Sequence, residues 1–112
     1  MSIFTVESER VQFTTAAVSA SDTFMGGIRF ASDGKVRAST GAATLSNQGI
    51  PMTSDGQVCI VDATASLPAG TVFVNAIPVS VDKVCYSTGA AAVYNNATPY
   101  VANGALCATV TP

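Results

Sequence analysis

The chain has no histidine and no tryptophan, and only 12 of its 112 residues are charged. Without imidazole, Ser-His-Asp and Cys-His arrangements are excluded, and no side chain offers an ordinary pKa near neutrality for general base work. Five Lys and Arg against seven Asp and Glu give a net charge of −2, so the basic cluster that phosphate binding needs is missing and no nucleic-acid partner is expected. Nowhere do about 18 apolar residues stand together, which leaves no candidate membrane-spanning helix, and the N-terminus lacks the basic start and apolar run of a signal peptide. A cytoplasmic site of synthesis is expected. Leu occurs three times against fourteen Val and thirteen Thr, a balance that favours strands over helices.

What the chain does have is one short phrase said four times. Ile50 to Ile60 reads Ile-Pro-Met-Thr-Ser-Asp-Gly-Gln-Val-Cys-Ile, apolar residues alternating on either side of a turn signal. Ile28 to Ala38, Ile77 to Tyr86 and Thr98 to Ala108 repeat it, with Asp33-Gly34, Asp82 and Asn103-Gly104 in the place of Asp55-Gly56. A three-residue loop at Ser54-Asp55-Gly56 pairs Met52 with Val58 and Ile50 with Ile60, collecting the apolar residues on one face. That predicts a type I turn closed by glycine in the left-handed region. The third copy is one residue shorter, and a two-residue loop at Val81-Asp82 puts Ile77, Val79, Val84 and Tyr86 on the same face. Asp33, Gly34, Asp55, Gly56, Asp82, Asn103 and Gly104 are therefore read as structural turn residues, with each carboxylate capping its own backbone.

Ser39 to Leu45 and Ser87 to Val93 lie 48 positions apart, and at that offset the match runs on from Asn47 and Asn95 to Cys59 and Cys107. This predicts an all-β, small single-domain sandwich or barrel built from four β-hairpins in two duplicated units, residues 26–73 and 74–112. Pro51, Pro78 and Pro99 sit early in strands, where a missing N–H is tolerated at an edge or a strand start. Residues 1–25 stand outside the repeat and read either as an N-terminal arm reaching a neighbouring subunit or as first strands completing the sheet. In the arm reading, Ile3, Phe4, Val6 and Phe13 form a partner interface.

No catalytic, metal or cofactor-binding residue is expected. Of the seven carboxylates, Asp33, Asp55 and Asp82 stand in turns, so short a chain has little room for a converging pair, and the Asp-Gly turns lack the ladder of a calcium loop. Cys59, Cys85 and Cys107 fall at equivalent strand positions, away from the core face. Small half-buried residues, a disulfide pair with one free thiol, and a three-thiolate metal site all fit that spacing, the first best. Because soluble monomers carry about 25% charged residues, so uncharged a surface suits a subunit covered by neighbours.

Gly49 to Cys59 and Asn96 to Cys107 resemble a phrase, Gly-aliphatic-Pro-aromatic-x-x-Asp-Gly-x-aliphatic, that recurs in small structural proteins of tailed bacteriophages. The resemblance covers residues 26–109, and the missing glycine after Asp82 departs from it. It implies a non-enzymatic virion component, a head decoration or cement protein that is homo-oligomeric and bound to the major capsid protein or other virion proteins. A tail, fibre or connector piece, or a glycan-binding surface module, is the alternative it leaves.

Overall fold

A computed structural model of the chain describes residues 6–7, 10–95 and 97–112, the first two for their backbone alone. Among the described residues there is no helix. A short strand β1 (Val6–Glu7) pairs antiparallel with β2 (Arg10–Thr14), and four three-stranded meanders follow. They are β3 (Thr23–Met25), β4 (Ile28–Phe30) and β5 (Val36–Ser39); β6 (Leu45–Asn47), β7 (Ile50–Met52) and β8 (Val58–Asp62); β9 (Val72–Val74), β10 (Ile77–Ser80) and β11 (Lys83–Ser87); and β12 (Val93–Asn95), β13 (Thr98–Tyr100) and β14 (Leu106–Thr111).

Each repeat turns twice, where the sequence pattern displays one turn. The second turn has the expected geometry. Met52 pairs with Val58, Thr53 N–H bonds to Gln57 O at 2.8 Å, Gly56 N–H bonds to Thr53 O at 3.0 Å, and Gly56 sits at φ +96°. The turns at Gly34 and Gly104 repeat these bonds, and Val79 pairs with Val84 around the two-residue loop Val81-Asp82. The first turn joins an additional outer strand to each hairpin through a tight two-residue loop, as Met25 opposite Ile28 and Val74 opposite Ile77 define. Both loop residues have positive φ at Gln48-Gly49 and even at Asn75-Ala76, the twist that matches antiparallel strands. The repeating element is thus a meander, not a hairpin, and it begins at Thr23, three residues before the predicted boundary.

The last strand of every meander, together with β2, forms a closed barrel of five parallel strands. β2 pairs with β5, β5 with β8, β8 with β11, β11 with β14, and β14 with β2. Neighbouring parallel strands need a crossover, and here the two outer strands of each meander supply it. The registers fix the stagger: Val11 leads along β2 to Phe13, which opposes Val36; Ala38 opposes Val58, Ile60 opposes Val84, Tyr86 opposes Leu106, and Ala108 returns to Val11. Two residues are gained at each of five junctions, a shear of ten. The ten residues on this path all point into the barrel, because steps of two stay on one face. They belong to or pack against one apolar core, which Ile28, Phe30, Ile50, Met52, Ile77 and Tyr100 complete from the hairpins. Each fully buried aliphatic or Phe side chain here contributes about 1.5–3 kcal/mol of transfer free energy.

Pro51, Pro78 and Pro99 lie on β7, β10 and β13, which pair on both edges. Pairing with the barrel strand starts one residue later, at Met52, Val79 and Tyr100. The missing N–H therefore interrupts no ladder on that side.

Phe13 requires a correction. It is wholly buried in the barrel core and opposes Val36, so it serves this chain's own interior and is not exposed to a partner. Residues 10–14 are correspondingly an integral barrel strand, and the arm reading cannot extend over them.

Candidate interaction surface

Among the described residues, the first strands of the meanders, β3, β6, β9 and β12, each pair on one edge only. They read Thr-Phe-Met, Leu-Ser-Asn, Val-Phe-Val and Val-Tyr-Asn. None carries a charge or a proline, the usual devices that keep an open edge from pairing. Apart from Val81 in its turn, the large apolar side chains exposed among the described residues all lie on these strands: Phe24 is 56%, Met25 65%, Val72 58% and Phe73 54% accessible, and Leu45, Val93 and Tyr94 are close behind.

The meanders lean on one another in sequence. The Phe24 ring comes within 3.2 Å of where a Cβ on Gly56 would stand, and the Phe73 ring within 3.3 Å of the same point at Gly104. Asn47 lies over Gly27 and Val74 over Gly49, so the first and second tight turns each support the next outer strand. The Tyr100 hydroxyl donates to Ala76 O, and burial pushes the Tyr100 phenol up to about 12. A small, mostly apolar pocket remains between the third and fourth meanders, lined by Phe73, Ala76, Val93, Asn95, Tyr100 and Gly104.

The turn residues do structural work. Asp33 accepts from Lys35 N–H at 3.1 Å, Asp55 accepts from the Thr53 hydroxyl, and Asn103 accepts from Ala105 N–H at 2.9 Å while donating to Ala63 O at 3.2 Å. Asp82 occupies the left-handed region at φ 65°. Ile3 and Phe4 lie outside the described residues, and Val6 is placed only by its backbone pairing with Val11.

The cysteines face outward from the barrel, as expected, but none is half-buried. Cys59, Cys85 and Cys107 are all fully covered and none of them is disulfide-bonded. Cys85 and Cys107 pack with Ala63, Val101 and Ala105, flanked by Leu67 and Ala91 from the connecting segments, and the Cys107 thiol donates to Gly89 O at 2.9 Å. Burial raises the Cys59 and Cys85 thiols above their ordinary value. Cys59 and Cys85 sit on adjacent strands two residues out of step, because Cys85 opposes Val61. Their Cα atoms are therefore about 8 Å apart, beyond disulfide reach. Among the described residues no group of three metal-ligating side chains comes together.

In the first meander the cysteine position is taken by Arg37. Its guanidinium reaches Asp22 with Nε at 3.0 Å and Nη2 at 2.9 Å, and Arg29 joins the same carboxylate at 3.0 Å while lying 4.6 Å from the Phe24 ring centroid. Arg29 also donates to Asp55 O at 2.9 Å, tying the first meander to the second. Sequence reasoning passes over this cluster. Its only trace is an arginine where three repeats carry cysteine. No family model matches the chain, and no curated protein or solved structure matches it either.

Proposed function

We propose that the chain is a non-enzymatic structural subunit of a bacteriophage virion, a decoration or cement protein that binds the head lattice and stabilises it. The observation that carries this reading is the set of four uncharged outer strands that expose large apolar side chains and, among the described residues, leave one edge unpaired. A free soluble domain normally blunts such edges, and a subunit whose neighbours cover them has no need to. The Gly-Ile-Pro-Met and Asp-Gly phrases, similar to those of small phage structural proteins, supply the setting. Contacts with the major capsid protein then run through strand pairing and apolar burial, with few ion pairs.

A glycan-binding module fits less well. Sugar stacking uses open ring faces, whereas the Phe24 ring already carries the Arg29 guanidinium and the Phe73 ring rests against Gly104. A tail, fibre or connector subunit would use the same edges as a head protein. The experiment is mass spectrometry of purified particles with antibody labelling of the intact virion. Stoichiometric presence on the head supports the proposal. Presence on the tail would move the subunit there, and a monodisperse monomer absent from particles would overturn the virion reading.

A further inference from the structure

Of the chain's asparagines only Asn103 is followed by glycine. That pair is chemically labile. The unhindered glycine nitrogen loses its proton to solvent base, bonds to the asparagine Cγ and expels ammonia, and water then opens the five-membered imide to aspartate or isoaspartate. Asparagine is a thermolabile residue for this reason.

The fold occupies every group that this reaction needs. Gly104 N–H, the attacking group, donates to Val101 O at 2.9 Å. Asn103 Oδ1 accepts from Ala105 N–H at 2.9 Å, and Asn103 Nδ2 donates to Ala63 O at 3.2 Å. In the equivalent turns, Asp33 and Asp55 accept from within the turn itself, from Lys35 N–H and the Thr53 hydroxyl. Asn103 instead reaches across 40 residues of sequence to the segment that joins β8 to β9.

That segment faces inward at two points. Ala63 is buried and Leu67 half-buried, whereas residues 64–66 and 68–70 are exposed. Both points meet the same turn. Ala63 is held by Asn103, and Leu67 Cδ1 comes within 3.2 Å of where a Cβ on Gly104 would stand. Ala63 and Leu67 also pack in the apolar cluster that contains Cys85 and Cys107, and Thr71, just past the segment, is a side-chain hydrogen-bonding neighbour of the Cys85 thiol.

We propose that Asn103 is a modification site, at which deamidation releases the segment 63–70 and uncovers the Cys85 thiol. The product carboxylate has no proton to donate and sets a second acceptor against Ala63 O. An isoaspartate also lengthens the backbone of the turn by one atom, against the pairing of Tyr100 with Leu106. Neither product refastens the segment, so the change runs one way. In the folded chain the reaction waits on local opening of the turn. The inference goes beyond the virion reading and does not depend on it.

Two measurements on the full chain test it. Peptide mapping by mass spectrometry at mildly alkaline pH should find Asn103 deamidating on the order of tenfold more slowly in native protein than in urea. Equal rates would overturn the shielding. Pulse alkylation of Asn103→Asp should label Cys85 about tenfold faster than in the parent chain, while Cys59, outside the cluster, stays protected. Should that variant fail to fold, Asn103→Ser, which loses the reach to Ala63 O without adding a charge, carries the same comparison. Cys85 labelled no faster than in the parent would overturn the release. Cys59 labelled in step with Cys85 would show that the turn supports the whole barrel and would overturn a local latch.

Discussion

Asp22 and Arg37 form a two-pronged ion pair across 15 residues of sequence, with the carboxylate side chain 0% and the guanidinium side chain 9% accessible. The pair pins the connecting segment 15–22 over the outer face of β5, and Arg37 adds a bond to Ala16 O at 3.2 Å. The hydrogen bonds from Arg37 hold the Asp22 carboxyl well below the usual carboxylate range, with Ser19 N–H and Arg29 adding to the effect and desolvation opposing it. A carboxyl depressed in the folded state contributes stability above its unfolded value, near 4, and loses it as pH falls below that toward the folded value. The urea midpoint should therefore hold from pH 7 to about 5 and decline below about 4. Asp22→Asn should lower the midpoint at pH 7 and remove that part of the acid slope. An acid slope unchanged by the substitution would show that other carboxyls carry it.

Phe13→Ala should destabilise the fold by about 3–5 kcal/mol, the range for a large aromatic removed from a packed core. Domains are stable by only about 5–15 kcal/mol, so the variant should be partly unfolded or close to it. Denaturant titration measures this directly. A partner-facing Phe13 would instead leave the midpoint unchanged and weaken assembly.

Gly34 and Gly56 separate two costs that usually come together. Both sit in the left-handed region, at φ +90° and +96°, where a Cβ costs about 1 kcal/mol. An alanine at 34 meets open space among the described residues, whereas one at 56 lands 3.2 Å from Phe24 and 3.3 Å from Arg29 Nε. Gly56→Ala should lower the melting temperature of dilute protein more than Gly34→Ala does, and Gly56→Val more again. Equal losses from the two alanines would mean that the Phe24 ring yields freely.

The thiols should be silent in the folded protein. Full burial together with raised Cys59 and Cys85 values leaves little accessible thiolate at neutral pH. A colorimetric thiol reagent should find none of the three in native protein and all three in urea. Native reaction at the rate of an exposed cysteine would contradict the covering by the connecting segments.

The local half of this architecture is legible in the residues. Ser54-Asp55-Gly56 announces its own loop, and the alternation of Ile50, Met52, Val58 and Ile60 sorts inside from outside. The outer strands escape notice because three residues such as Leu45-Ser46-Asn47 are too short to show a period of two, and because Asn75-Ala76 is a tight turn without glycine. The parallel pairing of Ala108 with Val11 leaves no local mark at all. Asp22 stays hidden for a related reason, since its partner Arg37 is identified only once the connecting segment is folded over the barrel.

Ring closure also sets a timetable for the nascent chain. β2 leaves the ribosome ahead of the other barrel strands, yet one of its two barrel neighbours is β14, the last of them to be made. Until residues 106–111 emerge, the Val11 and Phe13 side chains have no complete interior to enter. At about 5–20 residues per second of synthesis, the early strand waits some seconds with its apolar face uncovered. Contacts this distant in sequence are also slow to form. The barrel thus closes only after β14 has been made, and the interval before closure is when the chain is most exposed to misassembly and chaperone capture.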